Sequence, residues 1–378
     1  MVNKNLVVMS GTGLFTPAQS ISNQELVASF NVYVQHYNAL HQAEIIAGQR
    51  EALAESSAEF IEKASGIKSR YVIDRTGILD PAVMHPWIAD RAEDQMSLQC
   101  EMAVTAAQMA LDRAQKKPEQ IDAVLVACSN LQRPYPAIAI EVQNALGTSG
   151  YGYDMNVACS SATFGIQAAV NAIQAGSAQT VLVVNPEICS AHLEWKDRDC
   201  HFIFGDVCTA IILERAETCQ SQNPVYEILS SRLKTHFSSN IRNNFGFLNP
   251  CDPEKMGARD KRFKQNGRKV FKEVVPMVSD LLLDHLQQQG ISANQIKRLW
   301  LHQANLSMNQ LIAKKVLGRE ASEQEAPVIL DQYANTSSAG SVIAFHQYNQ
   351  DLKQGDIGVL CSFGAGYSVG SILLKRYC

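Results

Sequence analysis

The stretch DMNVACSSATFGIQAAVNAIQAG, residues 154–176, reads as a strand end, a polar corner and a helix that is apolar on almost every face. A helix of that kind is buried on all sides. Cys159 stands at its first turn. There the positive end of the helix favours the thiolate, the nucleophilic form of cysteine. Position alone also fits a small buried hydrophobe, the usual fate of a free cysteine.

The same pattern returns in DQYANTSSAGSVIAFHQYNQDLKQG, residues 331–355. Asp154 answers Asp331, and Ser160-Ser161-Ala162 answers Ser337-Ser338-Ala339. Apolar runs follow both, TVLVV at 180–184 and IGVLC at 357–361. Upstream, QMALDRAQKKPEQIDAVLVACSNLQ (108–132) is matched by DLLLDHLQQQGISANQIKRLWLHQANLS (280–307). Each reads as an amphipathic helix, a polar turn ending in Gln-Ile, and an apolar strand. Each leads to a helical segment ending in Leu-Gly, at 146–147 and 317–318. A period this long means a duplicated domain rather than a solenoid. Strands alternating with helices predict layered α/β halves with right-handed crossovers. The polar TCQSQNP at 218–224 places the join, giving halves 1–220 and 221–378. Residues 24–64 have no counterpart in the second half. Leu26, Phe30, Tyr33, Tyr37 and Leu40 follow helical spacing there, with Gly48 as a stop. Ser56 and Glu59 give a capping-box pattern for a second helix.

Composition bounds the rest. The 378 residues are 46% hydrophobic and 19% charged, with net charge −4. That describes a globular chain without general nucleic-acid affinity. No run of about 18 apolar residues predicts a membrane span. Ten cysteines with no C-x-x-C and no evident secretion signal predict cytoplasmic thiols, neither disulfides nor a zinc site. SGTGLF at 10–15 lacks the third glycine of a dinucleotide fingerprint.

The repeat suggests which polar residues meet. Asn335 falls within a residue of the place that Cys159 holds in its own half. His302 ends the strand RLWL, at the sheet edge where α/β folds bind ligands. Taken singly, His302 reads as a histidine satisfied by a carbonyl, and Asn335 as a cap. Packed about a pseudo-twofold axis, the two halves would bring Cys159, His302 and Asn335 together.

With these motifs the chain resembles the thiolase-fold condensing enzymes, and most closely the β-ketoacyl-acyl carrier protein synthase III family. The matching residues are Cys159 in NVACSSATFG, His302 in LHQANLS, Asn335 in YANTSSAGS, the FGD at 204–206 and FGAGYSVGS at 363–371. The resemblance runs nearly end to end, except in 24–64 and around 74–95. It implies a thiolase-like fold and a Cys-His-Asn catalytic triad. The implied reaction is a decarboxylating Claisen condensation of an acyl thioester, such as acyl-CoA, with malonyl-acyl carrier protein. Gly364, Ala365 and Gly366 match its oxyanion loop. Phe60, Arg198, Tyr135, Phe204, Gly267 and Asn305 match substrate-binding positions, and Lys272 and Lys314 carrier-facing lysines. Phe60 stands where the family has a tryptophan opposite Arg198. Ala64 and Ser307 stand where it has arginines. By its charge, the basic run 260–272 reads either as a solvated helix face or as a patch for the acidic carrier or the phosphates of coenzyme A. Cys361, inside an apolar strand, sits near the place of a thiolase's second cysteine. The resemblance further implies a homodimer and no metal or redox cofactor. It leaves open a condensing enzyme acting on coenzyme A thioesters alone, or a silent partner subunit. The insertion and Tyr135 point to a primer longer than acetyl.

Overall fold

The computed structural model describes residues 6–378. Its strands are β1 Val7–Phe15, β2 Gln19–Ser22, β3 Ser69–Val72, β4 Ala123–Ala127, β5 Tyr151–Met155, β6 Thr180–Ile188 and β7 Asp206–Arg215, followed by β8 Tyr226–Ser238, β9 Ile241–Arg242, β10 Lys264–Gln265, β11 Ile296–Leu301, β12 Ile357–Gly364 and β13 Gly366–Arg376. Nine of them form one sheet, in the order β11-β12-β13-β8-β1-β7-β6-β4-β5.

The sheet divides at the antiparallel β1–β8 pair. Outward from β1, the pairings run antiparallel to β7, antiparallel to β6, then parallel to β4 and β5. Outward from β8, they run antiparallel to β13, antiparallel to β12, then parallel to β11. The second wing repeats the first and stops one strand short.

Local chemistry repeats as well. The turns before β4 and β11 are both closed by the predicted glutamine. Gln120 Oε1 accepts from the Lys117 N–H, and Gln295 Oε1 from the Ser292 N–H, each at 2.8 Å. The helices Ile138–Leu146 and Leu306–Leu317 both end at a glycine with φ of 73°, at Gly147 and Gly318. That left-handed cap costs glycine little.

The inner strands β4, β6, β7 and β12 are buried on both faces, so they carry apolar residues at consecutive positions. Along β4, Leu125 and Ala127 face the helices Ser161–Ala175 and Gly340–Gln347, between the wings. Val124 and Val126 face the outer helix Leu98–Ala114. In the second wing, Leu360 faces inward. Val359 and Cys361 face outward, toward the helix Gly267–Gln288. The result is helices, sheet wing, helices, sheet wing, helices.

The 24–64 segment is helical but differs from the expected pattern. Its first helix, Asn23–Leu40, buries Leu26, Phe30 and Val34, while Leu40 is 79% exposed. The chain breaks at His41 and makes a short helix, Gln42–Ile46, so Gly48 follows that turn rather than ending the first helix. The next helix, Ala58–Ser65, is capped by Ser57, not Ser56. The reason is Asn31, which accepts from the Ser56 N–H at 2.9 Å and donates to its carbonyl at 3.1 Å. Those bonds hold Ser56 outside the helix.

Candidate active site

Cys159 lies in a one-turn 3-10 segment, Ala158–Ser160, between β5 and the helix Ser161–Ala175. Ala158 takes φ of +47°, a conformation that costs a non-glycine residue energy. The serines after Cys159 hold that corner. Ser161 Oγ accepts from the Val157 N–H at 2.8 Å and donates to the Ala158 carbonyl at 2.7 Å. Ser160 Oγ donates to the Ser368 carbonyl on β13 at 3.1 Å.

The second half supplies a matching turn, Ser337–Ala339, ahead of the helix Gly340–Gln347. The two turns touch. Ser337 Oγ donates to Cys159 Sγ at 3.6 Å. Asn335 is fixed by its backbone, whose N–H reaches the Ile203 carbonyl at 2.9 Å and whose carbonyl takes the Gly205 N–H at 3.1 Å. Its side-chain Oδ1 accepts from the Ser337 N–H at 2.9 Å. The oxygen is thereby occupied, and the amide N–H2 is the end left to donate.

His302 follows β11 directly, its N–H on the Cys361 carbonyl at 2.8 Å. The ring is buried edge-on to Phe363, with centroids 5.2 Å apart. Burial pushes its pKa down to about 3, with the Ser337 backbone acting in the other direction, so the imidazole is neutral at physiological pH. Its Nδ1 has no protein partner among the described residues. A buried nitrogen of that kind calls for an explanation, so the ring is at most half satisfied by the protein.

All three side chains line one cavity of about 800 Å³. Gly364 lines it beside the sulfur. A Cβ at Gly364 would fall 2.5 Å from the Cys159 Cβ and 2.9 Å from its Sγ. Burial pushes the Cys159 thiol up to about 11. The Ser337 hydroxyl and the Ala365 and Cys159 backbones pull it down, and Glu187 pushes it further up. The thiolate expected from the helix terminus is therefore not the resting form.

The other predicted residues divide. Phe60, Phe204, Gly267 and Asn305 line the cavity. Asn305 also caps its helix and donates to the Ala64 carbonyl at 2.8 Å. Arg198 lies with its guanidinium carbon 4.0 Å over the Phe60 ring, and its Nε donates to the Glu55 carbonyl at 2.7 Å. The two residues expected to stand opposite each other in substrate binding are stacked directly on one another. Of the predicted oxyanion loop, Gly364 alone lines the cavity; Ala365 and Gly366 line a separate hollow beside Phe237. The reason is the backbone, which enters β13 at Gly366 with φ of +130°. Tyr135 is 82% exposed and outside the cavity lining. Lys272 is exposed, and Lys314 pairs with Glu320 at 2.5 Å. The basic run crosses a 3-10 turn, β10 and a helix start, and of its cations Lys264 and Arg268 line the cavity. Cys361 is fully buried in β12 and faces away from the nucleophile's helix.

Ser337 and Phe363 were missed as site residues in the sequence. The repeat of Ser-Ser-Ala was the signal for the first. The second opens the matching motif FGAGYSVGS at 363–371 but was given no role there.

Residues 153–236 match the family described as 3-oxoacyl-[acyl-carrier-protein (ACP)] synthase III, and residues 286–376 match its C-terminal part. The chain is 62% identical, over 349 residues, to a beta-ketodecanoyl-[acyl-carrier-protein] synthase of Pseudomonas aeruginosa, covering 92% of this chain and 99% of the relative. It is 31% identical over 321 residues to a beta-ketoacyl-[acyl-carrier-protein] synthase III of Bartonella bacilliformis, covering 84% and 93%. The fold superposes on the 3-oxoacyl-[acyl-carrier-protein] synthase III of Aquifex aeolicus with a TM-score of 0.75, at 24% identity, covering 98% and 99%. A duplicated sheet, a cysteine turn and a histidine and asparagine in one cavity accordingly have a common origin: the chain belongs to the β-ketoacyl-acyl carrier protein synthase III family of condensing acyltransferases.

Proposed function

We propose that the chain condenses a medium-length acyl primer, of the octanoyl class and carried on coenzyme A, with malonyl-acyl carrier protein. The observation that carries this reading is the single cavity holding a cysteine thiol, a neutral histidine and an oriented asparagine amide. Cys159 sulfur, on losing its proton, attacks the primer's thioester carbonyl and expels coenzyme A thiol. The N–H groups of Cys159 and Ala365 receive the oxyanion. Malonyl-carrier then loses CO₂. His302 and the Asn335 amide donate to the enolate oxygen, and the enolate carbon displaces the acyl group from sulfur. The product is 3-oxoacyl-carrier, and the expelled Cys159 thiolate takes up a proton from solvent to return to the resting thiol. No metal or redox group enters the sequence.

Primer length is supported by the P. aeruginosa relative, whose name gives a ten-carbon product and so an eight-carbon primer. Six methylenes beyond acetyl, at about 0.8 kcal/mol each, offer roughly 5 kcal/mol if all are buried. The insertion backs the cavity wall. Phe30 packs 4.4 Å from the His201 ring, in one cluster with Phe60, Phe202 and Phe204. A homodimer accounts for the exposed Tyr135, Ile140, Tyr151 and Tyr153 along and beside the edge strand β5, and a cytoplasmic setting for the free thiols. No helix among the described residues is long and apolar enough to cross a membrane.

Mass spectrometry of the protein after exposure to acetyl-, butyryl-, octanoyl- and dodecanoyl-CoA tests the reading, followed by addition of malonyl-carrier. An octanoyl adduct on Cys159 that is consumed with release of CO₂ is expected. Faster turnover on acetyl-CoA than on octanoyl-CoA would refute the primer assignment.

A further inference from the structure

Glu187 lies near the end of β6, in the otherwise apolar run TVLVVNPEI, and is fully buried. Its partners are peptide, hydroxyl and thiol groups. Oε1 accepts from the Ser129 N–H at 3.0 Å, from the Ser338 N–H at 3.2 Å and from Ser338 Oγ. Oε2 accepts from Ser129 Oγ at 2.5 Å and from Cys189 Sγ at 3.8 Å. A carboxylate kept out of water is costly, and these donors offset that cost only when the side chain reaches both serines at once.

The two serines lead to the two catalytic turns. On one side, Ser338 follows Ser337, whose hydroxyl donates to Cys159 Sγ and whose N–H orients the Asn335 amide. On the other side, the Ser129 carbonyl accepts from Asn156 Nδ2 at 2.7 Å, and Asn156 Oδ1 accepts from the Ala158 N–H at 2.8 Å. Ala158 is the positive-φ residue before Cys159. The path from Cys159 through Ser337, Ser338, Glu187, Ser129, Asn156 and Ala158 back to Cys159 is a closed ring. Glu187 joins its two arms through both carboxylate oxygens; the Ser338 hydroxyl also reaches the Ala127 carbonyl, two residues before Ser129, at 3.3 Å.

We propose that Glu187 is a positioning residue that holds the Cys159 turn and the Asn335–Ser337 turn in register, so that both half-reactions depend on the length of its side chain. The claim rests on the condensing reading above. Misplacing a reacting group by about 1 Å can cost on the order of a hundredfold in rate. Aspartate keeps the charge but is one methylene short of spanning Ser129 and Ser338. Glutamine keeps the span. Its oxygen takes the two N–H groups now on Oε1, and its N–H2 donates to the hydroxyl oxygen of Ser129.

The test compares Glu187→Asp with Glu187→Gln, both checked for an unchanged melting profile. The readouts are Cys159 acylation, malonyl decarboxylation and primer KM, on a primer that the wild type accepts. E187Q should stay within about threefold of wild type in both half-reactions. E187D should lose about tenfold to a hundredfold in both kcat values, with primer KM unchanged within about twofold. An E187D protein at wild-type rates would overturn the proposal, and so would a folded E187Q as impaired as E187D. If the wild type acylates on no primer, it is the condensing reading that fails.

Discussion

The two turns that meet at the cavity are built alike and do different chemistry. Both open a buried helix, both carry Ser-Ser-Ala, and both contain a non-glycine residue at positive φ, Ala158 at +47° and Ser337 at +50°. The first presents a thiol, the second an amide held by its own oxygen and a hydroxyl aimed at that thiol. The two alike wings of the sheet supply two similar scaffolds. What separates them is the residue at one position of each, with His302 added from the strand end beside the second. On this view the first half captures the primer and the second half stabilises the enolate. Separating the half-reactions experimentally tests that division.

The largest effect is expected at the nucleophile. Cys159→Ala should abolish the acyl-enzyme adduct, observed as intact mass, while the melting temperature changes little, since alanine is smaller and apolar. Retained turnover with an adduct on another cysteine would break the comparison outright. Asn335→Ala and His302→Ala should do the reverse. Each should leave acylation of Cys159 intact and lower CO₂ release from malonyl-carrier by about 10²–10³, the usual cost of one oxyanion donor. A mutant impaired equally in both half-reactions would mean that the turns do not divide the work.

Gly364→Ala probes the contact between β12 and the first turn. The added Cβ would lie 2.5 Å from the Cys159 Cβ, so one of the two must move. Overpacking of this kind costs roughly 1–3 kcal/mol in stability. Moving the sulfur should slow acylation about a hundredfold and decarboxylation less. Equal losses would show a general distortion instead.

Much of this was legible in the sequence because the determinants are local. The Leu-Gly helix ends, the Gln-Ile turns and the apolar strands appear as read, since caps and patterning act over a few residues. The meeting of Cys159, His302 and Asn335 in one cavity was legible through the repeat, which carries long-range geometry that single motifs lack. The failures share a different cause. The cap at Ser57 rather than Ser56 follows from Asn31, a residue 25 positions away. The Arg198–Phe60 stack and the turning away of Gly366 depend on backbone paths that no spacing rule encodes. The raised thiol pKa reflects desolvation, and a helix-terminus argument from sequence contains no information about surrounding density.

The pH profile sharpens the role of the second half. An ordinary histidine would take up a proton as pH falls through about 6.5. Burial moves that event for His302 down to about 3. The imidazole therefore stays neutral as pH falls from 8 to 5, and malonyl decarboxylation should be flat across that range. A change in rate near pH 6.5 that disappears in His302→Ala would show that the ring is charged, not neutral, when the enolate forms.

The smallest expected effect lies at the contact between the turns. Ser337 donates to the Cys159 sulfur, and its hydroxyl is the leading influence holding the thiol's pKa below the level set by burial. Removing the hydroxyl raises that pKa further, so at fixed pH less thiolate is present. One hydrogen bond is worth about 1 kcal/mol net, roughly a fivefold change. Ser337→Ala should thus slow iodoacetamide alkylation of Cys159 about fivefold at pH 8 and shift its pH–rate curve toward higher pH. Decarboxylation should change less, because the Ser337 N–H that orients Asn335 belongs to the backbone and survives the substitution. If alkylation of the alanine variant matches wild type at every pH, the second turn does not tune the nucleophile, and its contribution is confined to the enolate.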